Sequence, residues 1–327
     1  MKVRKSLNEK TWQHFLKGVT FANVFQTPEM YKVFSSTKNY EPILVAIEEG
    51  GDIKDIVLAS LIKEGGGLKG SMSARAIVTG GPLSQDDDIK SLLVEFDEIT
   101  RGKALYSQFR NLRDTSSYHQ IFQQSGYNFE EHLNYTHNLT RSLKEINAGF
   151  SDGRKKGIKK AESLGLKVRE GDKSDLDDFY GMVERTYKDA GVPLADKSLF
   201  EAAFRELSPK KMILFILGSL HKNILAGRMV LAYNGMLHDW YAGSQPSARS
   251  QNANEFLVWH TMKWGHENGF SLFDFGGAGK PGEQYGPGEF KRRFGGTLTN
   301  FGRFQKIYHP IKHMIGRKGY ELLRRVG

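Results

Sequence analysis

The sequence predicts an α/β protein of the α+β kind, built as two tandem domains of similar architecture. Three observations predict it. Two β-hairpins of similar make-up lie about 170 residues apart, a helix and a short strand follow each, and a Phe-to-Gly helix end, Phe122–Gly126 and then Phe290–Gly295, recurs at nearly the same offset. A constant offset across several elements is the mark of a duplicated unit.

In the first half a helix over Glu29–Phe34 opens the unit. Ile43–Ile47 and Ile56–Ile62 are rich in β-branched residues, and Gly50-Gly51-Asp52 between them supplies the turn. Ile89–Thr100 carries apolar residues at helical spacing and leads into a strand over Ala104–Phe109. In the second half the opening helix is Leu176–Tyr187. Met212–Leu217, a turn at His221-Lys222-Asn223 and Leu225–Ala232 make the matching hairpin, and Asn234-Gly235 turns the chain into Leu237–Ala242. Glu255–Asn268 then reads as helix and Ser271–Phe275 as strand. Ser151–Gly165 is an amphipathic basic helix ended by Gly165, before a strand over Leu166–Arg169. The expected domains are 1–145 and 146–305, with a basic C-terminal helix within 306–327, most clearly Ile311–Val326, that has no counterpart in the first half and completes the first domain.

At 327 residues, 39% hydrophobic and 26% charged, the chain has the make-up of a globular protein with room for two cores. It has no Cys, which excludes a thiol nucleophile, a thiolate metal site and a disulfide scaffold. Only His309 and His313 stand four apart, with Pro310 between them, so no metal site is expected. The longest apolar run, Met212–Leu217, is far below the ~20 residues of a spanning helix, and Met1–Lys10 lacks the apolar core of a signal peptide. A cytoplasmic protein is expected. The net charge of +10 is uneven: Lys291–Arg325 holds ten Lys/Arg against Glu321 alone, and Arg154–Arg169 holds seven against Glu162. Two basic segments on an otherwise mildly acidic body suit a polyanion such as RNA, a nucleotide diphosphate or an acidic membrane surface. Solvated helix faces would carry the same charge.

Hairpins followed by strand, helix, strand, helix follow the order of the GNAT acyltransferase fold. Phe290-Lys291-Arg292-Arg293-Phe294-Gly295-Gly296 resembles the Phe-Lys-x-x-Phe-Gly-Gly signature of the FemAB/FemX peptidyltransferases, and Arg154–Leu166 resembles their basic helix ending in Lys-Ala-x-x-x-Gly. Tyr241-Ala242-Gly243-Ser244 and Asp274-Phe275-Gly276-Gly277 stand where that family carries similar strand ends. The resemblance covers residues 140–305, and the first half through the repeat. It implies two tandem GNAT-like domains without the coiled-coil arm some members insert. It also implies a monomeric, cofactor-free enzyme that moves an amino acid from aminoacyl-tRNA to an amine of a nucleotide- or lipid-linked peptidoglycan precursor, with Lys291 as the catalytic cation and Phe290 beside the aminoacyl end. Two departures leave the acceptor open: Met30 in Gln26-Thr27-Pro28-Glu29-Met30-Tyr31 stands where the family has Trp, and Arg110-Asn111-Leu112-Arg113 replaces Arg-x-Asp-Pro.

Aminoacyl transfer passes through an oxyanionic intermediate, so the site needs a cation or donor there and a route for the amine proton. Lys291 stands at a helix start after Gly286-Pro287-Gly288, a flexible segment that lets an ammonium approach the ester carbonyl. In a GNAT-like domain the acyl group lies where Leu237–Ala242 and Ser271–Phe275 splay. Asp239 and Tyr241 alternate onto one face of the first strand and Asp274 lies on the second, so all three are candidates to orient the amine or relay its proton, with capping of the sheet opening as the competing role. Phe290, Arg110, Arg228, Arg249, Asn254 and Tyr285 are the substrate-binding candidates, and Lys155, Lys156, Lys159, Arg292 and Arg293 the candidates for RNA phosphates. Acyl-CoA-dependent relatives bind pyrophosphate on small residues before the next helix, and Gln245–Asn254 has no Gly there, so CoA is less expected as donor. Gly276–Gly282 lacks a following Gly-Lys-Ser/Thr and reads as a mobile lid over the site, with a plain loop as the equal alternative. The alternative function is acyl-CoA-dependent N-acylation of an amino sugar or surface-polysaccharide precursor; a non-catalytic polyanion-binding module is the third.

Overall fold

The computed structural model describes residues 1–65, 67–86 and 88–316. The chain forms two compact units, Met1–Glu131 together with the segment from Phe301 on, and His132–Asn300. The first unit runs β1 (Lys2–Arg4), α1 (Glu9–Lys17), α2 (Pro28–Ser35), β2 (Tyr40–Glu49), β3 (Asp52–Ile62), α3 (Gly67–Ser73), β4 (Arg75–Thr79), β5 (Leu83–Ser84), α4 (Lys90–Arg101), β6 (Tyr106–Arg110), α5 (His119–Gln124) and β7 (Asn128–Glu130). The second runs β8 (Leu133–Asn138), α6 (Leu143–Ala148), α7 (Asp152–Ser163), β9 (Lys167–Glu170), α8 (Leu176–Asp189), α9 (Lys197–Leu207), β10 (Ile213–Leu220), β11 (Asn223–Tyr233), β12 (Met236–Ser244), α10 (Ala253–Glu267), β13 (Leu272–Gly277), α11 (Gly286–Arg292) and β14 (Thr297–Asn300). β15 (Arg303–Ile307) returns to the first unit, and residues 310–316 are helical.

The duplication is visible strand by strand. The first sheet is ordered β1-β2-β3-β4-β6-β15-β7, with β5 against β3, and the second β9-β10-β11-β12-β13-β8-β14. In each, the fourth and fifth places pair in parallel, and the other neighbours are antiparallel. The sixth place in each sheet is filled from elsewhere in the chain, by β15 in the first and by β8 in the second. Residues 303–307 are therefore strand where the sequence suggested a helix from 306. Residues 317–327, the rest of that expected helix, lie outside the described residues.

Local chemistry explains the elements that frame the site. Asn234 (φ 46°) and Gly235 (φ 74°) form the positive-φ turn that joins β11 to β12. The side chain of Ser151 caps α7 by accepting from the Arg154 N–H. The second core is built on Phe150, Leu237, Leu257, Phe273, Phe275 and Phe294, with Phe290 packed against it. In the first unit Phe304 of β15 stacks on Phe122 with ring centroids 4.0 Å apart, which anchors the returning strand in a core of Phe96, Phe109 and Tyr118. Burial of one such ring contributes about 1.5–3 kcal/mol. Among the described residues no helix is long and apolar enough to cross a membrane.

Candidate active site

The site begins where two parallel strands part. β12 and β13 pair only from Met236/Leu272 to His238/Asp274, while β12 runs on to Ser244 against β11. Beyond His238 and Asp274 the seam between them is open, and four charged side chains meet there. Asp274 is fully buried. Its Oδ1 accepts from the Gly276 N–H at 2.7 Å and from Asn134 Nδ2 at 3.3 Å, and its Oδ2 lies 3.1 Å from His238 Nδ1. Burial by itself would raise the Asp274 carboxyl, but the His238 ring, the Gly276 N–H and the Lys291 ammonium together hold it below its ordinary value.

Lys291 reaches the seam from α11. Its Nζ donates to the Gly277 carbonyl at 2.8 Å and sits 5.4 Å from the centre of the Phe275 ring. Burial lowers its pKa from the ordinary value, against the pull of Asp239 and Asp274. Gly276 has φ 77°, and a Cβ there would stand 3.4 Å from the Lys291 Nζ, so the glycine lets the ammonium approach the backbone. Asp239 is paired with Arg228, a residue 2% exposed whose Nε has no partner. An ammonium held in a strand opening, backed by the buried Asp274 and the partly buried Asp239, can stabilise an oxyanion that forms there.

α11 is fixed in turn by Arg154. Its guanidinium lies 4.3 Å from the Phe290 ring centre and 5.0 Å from that of Phe294, pairs with Glu255 of α10, and donates to the Phe290 carbonyl at 3.4 Å. The Gly-Gly that ends the motif is required by close packing. Gly295 (φ 72°) and Gly296 (φ 85°) leave no room for a Cβ, which would fall 2.5 Å from the Gly149 carbonyl and 2.6 Å from that of Thr136.

Residues 152–292 match the family described as Acetyltransferase (GNAT) domain. The second unit has the fold of a GNAT acyltransferase domain. Among solved structures the whole chain is similar to FemX, at 15% identity and TM-score 0.76, over 97% of this chain and 100% of that one. It is also similar to L-PGS from Bacillus licheniformis (12% identity, TM-score 0.60, 97% and 98% covered) and to a tandem GNAT protein from the clavulanic acid biosynthesis pathway (9%, 0.59, 94% and 98%). At these identities the likeness is one of fold: a tandem GNAT fold, FemX-like in extent. No curated protein matches the sequence.

The GNAT domain gathers Lys291, Asp239, Asp274, Arg228 and Phe290 around one seam. Tyr241 is elsewhere. A bulge at Trp240 sets Asp239 opposite Val230 and Tyr241 opposite Met229, so the two side chains fall on opposite faces of the sheet, not on one as simple alternation predicts. Tyr241 packs on Phe200 with centroids 4.6 Å apart and on Tyr187 at 5.7 Å. Burial raises the Tyr187 phenol further, helped by Asp239 and Tyr285. Asn254 donates to Ser244 Oγ at 3.1 Å, Arg249 is exposed in the preceding turn, and Arg110 belongs to the first unit, where its Nε donates to Gln108. Of the basic candidates, Lys156 and Lys159 are exposed on α7, Lys155 donates to the Ala148 carbonyl at 3.0 Å, and Arg292 and Arg293 share Glu289, whose carboxyl they hold down at about 2.

Two local expectations change. Gly286-Pro287-Gly288 is the first turn of α11 itself, with Gly288 seated against the Ala278 carbonyl, so Lys291 stands in the last turn of a fixed helix. The expected lid is pinned at its start, because the Ala278 N–H donates to Leu133 and the Leu133 N–H to Gly279. His238 was missed by sequence reasoning, since only the β12–β13 register brings it to Asp274. Among the described residues no group of three or more His, Asp or Glu is arranged to hold a metal ion.

Proposed function

We propose that the chain transfers an aminoacyl group from aminoacyl-tRNA to an amine of a cell-wall precursor, with the reaction at the β12–β13 seam. One observation carries the reading: the Lys291 ammonium is held in the seam by the Gly277 carbonyl, in a fold that matches FemX along its whole length. The ester carbonyl enters the opening with its oxygen toward Lys291, the amine attacks, and the oxyanion is stabilised by the ammonium and by the positive field of Arg228 behind it. Collapse of the intermediate forms the amide as the ester C–O bond breaks, and the tRNA's terminal ribose oxygen leaves with the proton the amine gives up. Asp274 offers an ionised carboxylate to the amine proton, and Asn134, the Gly276 N–H and His238 fix its orientation. The exposed Lys156 and Lys159 offer phosphate contacts to the RNA. No cofactor is required by this chemistry.

The match to an acetyltransferase domain favours a second reading, acyl transfer from CoA to an amino sugar or polysaccharide precursor. Against it stands the β12–α10 connection, where a short turn over Pro246–Arg249 replaces the glycines that let a backbone approach pyrophosphate. Labelled aminoacyl-tRNA and labelled acetyl-CoA, each supplied with an amine-bearing peptidoglycan precursor, separate the two. The expected result is acceptor-dependent loss of label from the tRNA only; label moving from CoA alone assigns the second reading.

A further inference from the structure

The chain's last described residues present an apolar face that nothing among the described residues covers. Residues 310–316 form a helix whose inner side is fixed: His309 Nε2 lies 2.8 Å from the Arg101 carbonyl, the His313 ring stands 5.2 Å from that of Tyr106, and a Cβ on Gly316 would fall 2.7 Å from the Met72 carbonyl. At 100° per residue, Ile311 and Ile315 lie on the far side from His313 and Gly316, and Met314 flanks them. All three point to solvent, with exposures of 72% for Ile311, 52% for Met314 and 52% for Ile315. These are the most exposed large aliphatic side chains of the described residues apart from Met1, and they are contiguous.

The surroundings of this face are basic. A cavity of about 500 Å³ beside the helix is lined by Lys63, Lys103, His309 and Lys312, with Gly65 and Gly67 on its rim. Lys63 and Lys103 share a single carboxylate, Glu41, at 3.5 and 2.6 Å, and Lys312 has no ion-pair partner among the described residues. The sequence that follows adds Arg317, Lys318, Arg324 and Arg325 against Glu321 alone. Bare aliphatic side chains flanked by Lys312, with Lys63 and Lys103 across the cavity that Lys312 lines, match the boundary of a bilayer, where the former enter the acyl region and the latter meet phosphate headgroups. RNA is bound by basic and aromatic groups and gains nothing from exposed isoleucines. A second copy of this chain would bring the same +10 charge against the same basic patch.

We propose that Ile311, Met314 and Ile315, with Lys312 at their edge and Lys63 and Lys103 across the neighbouring cavity, dock the protein on an anionic lipid surface. The proposal is independent of the donor and acceptor of the reaction. The full-length protein is sedimented with phosphatidylcholine vesicles and with vesicles that also contain phosphatidylglycerol. It is expected to sediment with the second and not the first, to be released by raised salt, and to ignore inorganic phosphate at matched ionic strength. Ile311→Ser, Met314→Ser and Ile315→Ser together should weaken binding by about tenfold or more, and Lys312→Glu by about threefold, with unchanged thermal melting. Equal sedimentation of wild type and the triple variant overturns the proposal, as does indifference to phosphatidylglycerol or displacement by inorganic phosphate. A dimer in ultracentrifugation that the triple variant loses assigns the face to a second copy instead.

Discussion

The two sheets share one strand order but open along different seams. In the first unit β4 stays with β6 through five pairs, Arg75/Tyr106 to Thr79/Arg110, and leaves β3 after Ser60/Ile77. In the second, β12 stays with β11 and leaves β13. The first gap is sealed by a neutral amide: Gln26 Nε2 donates to the carbonyls of Leu58 at 3.0 Å and Thr79 at 2.9 Å, and its Oε1 accepts from the Leu58 N–H at 2.7 Å. The second gap holds Lys291, Asp274 and Asp239. One copy of the duplicated sheet thus satisfies its parted strands with a neutral side chain whose two N–H donors are both used, whereas the other leaves charge at the opening. On the proposed function, reactivity follows which strand the fourth one abandons, and what fills the gap.

The contrast can be broken from either side. Lys291→Met keeps the length of the side chain and removes the charge, so the rate of transfer should fall by about 10²–10³ with folding intact; unaltered turnover would remove Lys291 from the site. Gln26→Ala strands three buried backbone groups in the other unit and should cost about 3 kcal/mol in denaturant unfolding. A loss below ~1 kcal/mol would mean that the gap is closed by other means. Asp55, on β3 of the same unit, is buried with Oδ1 unpartnered, and burial pushes its carboxyl up from 3.8 to about 6. The folded state therefore holds that proton more tightly than the unfolded one, and stability should fall as pH rises from about 4 through 6. Asp55→Asn should remove that fall and add about 2 kcal/mol at neutral pH; an unchanged pH dependence of the melting temperature would contradict it. The smallest effect is expected on α7: Lys156→Glu with Lys159→Glu should flatten the slope of log affinity for tRNA against log salt by about one to two units, and identical slopes would show that these lysines only solvate the helix.

Much of the fold was legible because its signals are local. Both hairpins, the Asn234-Gly235 turn and the helices before β6 and β13 follow from periodicity and turn chemistry. The swapped strands were not, since β8 and β15 acquire their places through pairing with residues far along the chain. α9 did carry a readable signal, an Asp196 cap before Leu199, Phe200, Ala203 and Leu207 at helical spacing. In the candidate site, the motif around Lys291 named the helix that reaches the seam, yet its two glycines serve packing against Gly149 and Thr136. The separation of Asp239 from Tyr241 was hidden because a single bulged residue reverses every side chain beyond it. Arg154 looked like surface charge and turned out to clamp Phe290, a role visible only once α7 and α11 are placed together.

The single-turnover rate of aminoacyl transfer, measured for wild type, Lys291→Met and Gln26→Ala at a temperature where all three are folded, tests the contrast most directly. The account predicts a rate lower by about 10²–10³ with an unchanged melting temperature for Lys291→Met, and a lowered melting temperature with an unchanged rate for Gln26→Ala. A wild-type rate in Lys291→Met, with the loss of turnover falling on Gln26→Ala, would place the chemistry in the first unit and contradict it.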